Sequence, residues 1–192
     1  ANATEAKYMR AEARFLRAQA YYHALDLFGN VPFVLETDPA GTLPKRIERA
    51  ELFKFVENEL KALESELKDP KTNEYGRADK AAAWTLLSRL YLNAKVYSGS
   101  ERNNDVITYA NKVIGAGYEL KKQTIQVPDP DNPGQTKPKD ISYESLFLAD
   151  NHLNNPEVIL SVNYDGIKTQ TWGGSTFLVH APVGGEMNAA DF

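Results

Sequence analysis

Cysteine is absent from the 192 residues, which excludes disulfides, thiolate metal ligands and thiol nucleophiles. It does not assign a compartment, because many exported chains also lack cysteine. Apolar runs are short, and none approaches the ~20 residues that cross a bilayer as a helix. Excess positive charge is missing too: the net charge is −4, which offers no field to draw nucleic acid or an anionic membrane. Histidine is scarce, and His23, His152 and His180 lie too far apart for a paired metal motif. No glycine-rich phosphate loop, nucleophile elbow or dinucleotide fingerprint occurs. Metal, cofactor and catalytic residues are therefore all expected to be none. Acidic residues are plentiful, but a glycosidase pair is defined by spatial separation. Nothing in sequence sets Glu157 or Asp165 apart from the other acids.

What is present is globular: 42% hydrophobic and 25% charged residues, enough for one sizeable core. Residues 4–28 carry Met9, Ala13, Leu16, Ala20, Ala24 and Leu27 at steps of three and four, which predicts a helix with that face inward. A second stripe, Tyr8, Phe15 and Tyr22, recurs every seven residues, so the helix should meet more than one neighbour. Gly29 and Pro32 should end it. Residues 33–47 read as loop. Leu52, Phe53, Val56, Leu60, Leu63 and Leu67 predict a second helix over 49–67, closed by Asp69-Pro70.

Asp79 is placed to cap a third helix reaching about Ala94. Within it Trp84, Leu87, Ser88 and Tyr91 have the spacing of the first helix of a tetratricopeptide repeat, and Trp84 is expected in the core. Phe15, Ala18, Gln19 and Tyr22 echo that spacing. A partner helix from Asp105 to Gly115 should turn Val106, Tyr109, Ala110, Val113 and Ile114 inward. Residues 121–140, with four prolines and few apolar residues, read as a surface excursion. In it Asp129-Pro130-Asp131-Asn132-Pro133-Gly134 departs from a calcium loop at Pro133 and Asp140, and reads as solvated loop. Tyr143 to Asp150 suggests a short helix and Val158 to Val162 a strand; Asp165-Gly166 should turn. The fold class expected is mostly α, with tetratricopeptide-like helix hairpins over 1–120 and a loop-rich irregular region carrying little strand over 121–192.

Several blocks in order carry a family resemblance. They are Glu12-Ala13-Arg14-Phe15-Leu16-Arg17-Ala18 running on to Leu27-Phe28-Gly29-Asn30-Val31-Pro32, and Gly76-Arg77-Ala78-Asp79-Lys80-Ala81-Ala82. Leu86 to Leu92, Tyr109 to Ile114, and Asn155-Pro156-Glu157 through Trp172-Gly173-Gly174 come next. Together they resemble the SusD/RagB-like outer-membrane glycan-binding lipoproteins, and Asn163 to Phe177 looks closest to the starch-binding branch.

The resemblance implies non-catalytic capture of oligosaccharide, starch-like glucan above all, on the outward face of the outer membrane. It implies a SusC-like TonB-dependent transporter as partner and a lipid anchor as the membrane link. Neither an export signal nor a lipid-bearing cysteine is among these residues, so the chain reads as the central segment of a longer protein. A sugar platform needs an aromatic face and polar groups at its edge. Trp172 between Gln170 and Gly173-Gly174 is the stacking candidate, with Asn163, Asp165, His180 and Asn188 as polar partners. The competing reading of Trp172 is an interface plug. The competing function is a helical-repeat scaffold for protein interaction without glycan binding.

Overall fold

The computed structural model describes residues 2–148, 151–153, 155–163 and 168. Two compact units divide the chain between Leu160 and Ser161, and every helix and strand named here belongs to the first.

Helix α1 spans Ala3–Phe28. Asn2 caps it, its side chain accepting from Glu5 N at 2.8 Å. The buried face is Ala11, Phe15, Ala18, Tyr22 and Leu25. This corrects the face expected from sequence: Leu16 is 59% and Leu27 71% exposed, and Met9 and Ala20 also face out. Both stripes are apolar, so hydropathy does not choose between them. The alanines at 11 and 18 let a neighbouring helix approach between the rings of Phe15 and Tyr22. Arg14 and Arg17 flank that face and reach acids of α2 and the turn after it, which fixes the helix rotation: Arg14 pairs with Glu59 at 3.0 Å and Glu66 at 2.8 Å, and Arg17 with Glu59 at 2.7 Å.

Gly29 ends α1 at φ +74. A Cβ there would meet the Arg49 guanidinium at 2.6 Å, so glycine serves both the turn and the close approach. Asn30 then caps the next helix. Helix α2, Arg49–Leu63, gets no side-chain cap from its own Glu48, and the Asn30 side-chain oxygen accepts from Arg49 N at 2.8 Å instead. Val31 is buried and opens strand β1 (Val31–Phe33), antiparallel to β2 (Lys45–Ile47). The expected 33–47 loop is thus pinned at both ends. Tyr21, Phe33 and Phe55 pack ring on ring beneath it, with centroids 4.8 to 5.6 Å apart. Helix α2 buries Leu52, Phe53, Val56, Leu60 and Leu63 and packs on α1, α3 and α4, with the Phe53 ring against Tyr91 and Tyr97. It stops four residues before the predicted end, but Leu67 stays buried in the turn beyond it.

Helix α3 (Lys80–Leu92) is capped by Asp79, which accepts from Ala82 N at 3.1 Å and, through its other oxygen, from Lys71 N at 2.8 Å. Ala81, Ala82, Ala83, Leu86, Leu87, Leu90 and Tyr91 are buried. A short helix α4 (Ala94–Ser98), not foreseen, ends at left-handed Gly99. Helix α5 (Asn103–Ile114) packs on α3. Tyr109 is buried and Val106 half-buried, but Ile114 faces out, because α5 touches the core along one narrow stripe. The pairs α1/α2 and α3/α5 are the expected helix hairpins, joined through α2 and α3. Trp84 lies at the edge of the core rather than inside it: its indole N–H donates to Glu64 at 3.0 Å and Lys112 covers its ring.

Residues 121–140 are more ordered than expected. Thr124–Pro128 (β3) and Thr136–Asp140 (β4) form an antiparallel hairpin in the register Thr124↔Asp140. Thr124-Ile125-Gln126-Val127 has the strand alternation, and Pro138 is tolerated because a two-stranded ribbon leaves outward edges. The Asp129–Gly134 stretch makes its turn. Asp129 accepts from Asn132 Nδ2 at 2.8 Å and Asp131 N at 3.1 Å, and these bonds hold its carboxyl below the usual range. Glu144–Phe147 is a 3-10 turn within the span where a short helix was expected. Residues 158–160 are irregular, contrary to the predicted strand. Ile159 and Leu160 pack on the core as bends instead.

Three glutamates stitch the layers together. Burial works against each carboxylate, but hydrogen bonds and cations outweigh it, so all three lie below the glutamate reference of 4.5. Glu57 is held by Lys61, Tyr91 and Arg102, Glu59 by Arg14 and Arg17, and Glu64 by Lys112, Tyr109 and Trp84. The folded state thus binds protons less readily than the unfolded chain. The stability these groups add is complete above the unfolded value and drains as pH falls through the folded values. Urea midpoints are expected to be flat from pH 7 to about 5.5 and to drop on further acidification, while a midpoint that rises below pH 4.5 would contradict these shifts.

Candidate functional site

Of the five residues nominated for sugar contact, Asn163 alone is described. It belongs to the second unit, is exposed, and its Oδ1 accepts from Ser161 Oγ at 2.8 Å. Trp172, Asp165, His180 and Asn188 lie outside the described residues, as does the Asp165-Gly166 turn. Of the expected platform, the structure therefore brings one polar side chain to the surface.

Up to Glu157, the described residues of the blocks that carried the family resemblance tie the helices and connectors together. Glu12 accepts from Arg77 Nε and Asn73 Nδ2, both at 2.9 Å, and so ties α1 to the connector before α3. Arg77 also reaches Glu5 at 2.9 Å, and Gly76 turns at φ +79. Lys112 and Tyr109 of α5 converge on Glu64 at 2.6 and 2.7 Å. Glu157 takes Lys121 N at 2.7 Å, so Asn155-Pro156-Glu157 anchors the chain beside the stretch that leads into the hairpin.

A groove of about 330 Å³ opens between α1, α3 and residues 157–160. Phe15, Leu86, Ile159 and Leu160 make its apolar lining, and Gln19, Arg89 and Glu157 its polar one. Phe15 is buried in the core, so no ring face is offered for stacking. The Arg89 guanidinium stands 5.7 Å from the Tyr22 ring. Elsewhere, Tyr143 and Phe147 stand out into solvent as a ring pair. Sequence reasoning passed over them, although two aromatics four apart in a polar, turn-rich stretch are a legible signal.

His23 and His152 are exposed, and His23 packs edge-on to Tyr22. Among the described residues no three His, Asp or Glu side chains gather as a metal site would need, and no helix is long and apolar enough to cross a membrane.

The helix hairpins also have known counterparts. Residues 1–92 match the SusD-like family described as "Starch-binding associating with outer membrane". Over 173 residues the chain is 41% identical to the starch-binding protein SusD of Bacteroides thetaiotaomicron, covering 88% of this chain and 28% of that protein. The chain is of the SusD/RagB-like family. Among solved structures, a SusD-like protein of Bacteroides fragilis superposes with a TM-score of 0.61 at 28% identity, covering 85% of this chain and 28% of that one. A SusD-like carbohydrate binding protein of the same species gives 0.61 at 24% identity with the same coverage, and so speaks for the fold alone. The SusD-like chain thus spans 28% of the length of each of these relatives.

Proposed function

We propose that this protein captures oligosaccharides of the starch-like glucan class at the outward face of the outer membrane. It does not transform them, and it delivers them to a SusC-like TonB-dependent transporter while held to the membrane by a lipid anchor. Residues 1–120 serve as the helical scaffold and 121–192 as the ligand-facing part of one SusD-like domain, with Trp172 as the stacking ring. Asn163, Asp165, His180 and Asn188 bond the sugar hydroxyls. The observation that carries this reading is the 41% identity to a starch-binding protein across 88% of the chain.

A glycosidase acid needs a carboxyl with a raised pKa. Every described carboxyl with a resolved shift is lowered instead: Glu5, Glu36, Glu57, Glu59, Glu64, Asp129 and Asp140. Incubation with soluble starch should release no reducing sugar above buffer. Release abolished by one Asp or Glu substitution would overturn the binding-only reading.

The decisive measurement is calorimetric titration of the protein with maltoheptaose, repeated on Trp172→Ala. A sugar stacked on an indole removes apolar C–H surface from water at about 25 cal/mol per Å². The substitution should therefore weaken binding by about 1 kcal/mol or more and leave the melting temperature unchanged. A plug would instead lose about 3–5 kcal/mol of stability. A large drop in melting temperature, or unchanged affinity, removes Trp172 from the site.

A further inference from the structure

Tyr143 and Phe147 are 74% and 70% exposed, yet they are not loose. Their ring centroids stand 5.1 Å apart at an interplanar angle of 63°. The turn that carries them is pinned from below and from both sides. Ser145, midway between the two ring residues in sequence, is buried; it donates its N–H to Ile141 O and its hydroxyl to Ser142 O, each at 2.8 Å. Ile141 is buried and its N–H bonds Gln123 O at 2.9 Å. Ser142 Oγ accepts from Gln123 N at 2.9 Å, and Asp140 receives the Ser142 N–H at 2.8 Å. On the far side Asn151 Nδ2 donates to Leu146 O at 2.9 Å. Two large rings are thus held out in water by a turn whose own polar groups are bonded.

Exposed aromatic surface on a fixed turn marks a contact site. The surroundings indicate which kind. Glu144 lies between the ring residues and pairs with Lys139 at 3.1 Å, both of them exposed, and Asp140 and Asn151 flank the same turn. The centre of a protein-docking patch is depleted of charge. Rings with carboxylate, ammonium and amide groups at their edges are what a pyranose asks for. Its C–H face stacks, and its rim of hydroxyls donates to carboxylates and accepts from N–H groups.

We propose that Tyr143 and Phe147 form an oligosaccharide-contacting subsite in addition to the residues proposed around Trp172. The proposal rests on the carbohydrate-capture reading above. Set at 63° to one another, the rings cannot both stack on one sugar unit, so each takes its own. The subsite is therefore one for oligosaccharide chains rather than monosaccharides.

The test compares the parent, Tyr143→Ala, Phe147→Ala and the double variant by calorimetric titration with maltoheptaose and with maltose, alongside thermal melts. The double variant should bind maltoheptaose about tenfold more weakly, since each ring lost leaves a sugar face in water. Maltose affinity should fall less, and the melting temperature should hold. The swaps Tyr143→Phe and Phe147→Tyr keep both rings and should keep maltoheptaose affinity to within about twofold. If the parent binds neither sugar, the capture reading fails and this subsite with it. If the parent binds and the double variant matches it, the subsite alone is wrong. A melting temperature that falls in the double variant assigns the rings to packing and also overturns the proposal.

Discussion

Replacing Leu87 by Ala is expected to cost about 2–5 kcal/mol of stability, and replacing Leu16 by Ala no more than about 0.5 kcal/mol. Both are leucines inside helices with apolar neighbours three and four residues away, so the contrast tests packing rather than propensity. Leu87 is fully buried in α3. It belongs to the same continuous cluster as Phe15, Val56, Leu60, Leu90 and Tyr91, so truncation opens a cavity that several rigid helices would have to collapse to fill. Leu16 points away from that cluster on α1 and is 59% exposed, so truncation there removes little buried surface. Urea unfolding of the two variants at pH 7, read as a shift of midpoint at constant slope, measures both. Equal costs would mean that α1 is rotated from the orientation described, and that its Met9–Leu16–Leu27 face is the packed one.

That orientation is where the sequence misled, and the reason is physical. Helix ends are local: Asp79 before an alanine run and Gly29 before Val31-Pro32 each satisfy backbone groups within a few residues, so both were legible. The inward stripe of α2 was legible too, because one of its faces is polar. Helix α1 has two apolar stripes, and the choice between them is made by Glu59 and Glu66, more than forty residues downstream, pairing with Arg14 and Arg17. No periodicity within α1 contains that information.

The β3–β4 hairpin was hidden differently. Prolines at 128, 130, 133 and 138 argue against a strand in the interior of a sheet, but not in a two-stranded ribbon with open edges. Conversely, Val158 to Leu160 had strand composition but no strand to pair with among the described residues, and Ile159 and Leu160 went to the core as bends. For the site, residue type nominated Trp172 and its polar partners. Stacking geometry is a tertiary property, and of those residues the structure places Asn163 on the surface. The pair Tyr143/Phe147 was legible as two aromatics four apart in a polar stretch, but its exposure needed the structure, since Ile141, two residues away, is buried.

Glu57→Ala should be among the most damaging substitutions of a polar residue, costing about 3–5 kcal/mol. Glu57 sits on α2, 8% exposed. Its Oε1 accepts from the Tyr91 hydroxyl at 2.8 Å, from Lys61 Nζ at 2.9 Å and from Arg102 Nη2 at 3.0 Å. One carboxylate therefore joins α2 to α3 and to the start of α5. The Arg102 guanidinium also lies 4.7 Å from the Tyr91 ring centroid. Burial pushes the Tyr91 phenol well above its ordinary pKa, and the hydrogen bond to Glu57 pushes it further, so it stays a neutral donor. Removing the carboxylate leaves that buried hydroxyl without its acceptor and Arg102 without one of its two counter-charges, the other being Asp105. Each loss is a desolvation cost left unmatched.

Glu57→Gln separates the two contributions. It keeps an acceptor for Tyr91 and gives up the charge, so its cost should fall to about 1–3 kcal/mol, and part of the acid sensitivity should go with it, because glutamine does not titrate. Tyr91→Phe combined with Glu57→Ala should cost less than the sum of the two single substitutions, by about 0.5–3 kcal/mol, since the first removes the hydroxyl that the second would orphan. Additive costs in that cycle would show that the Tyr91–Glu57 bond adds nothing, and a Glu57→Ala stability within about 0.5 kcal/mol of the parent would show that the helices are held by the apolar cluster alone.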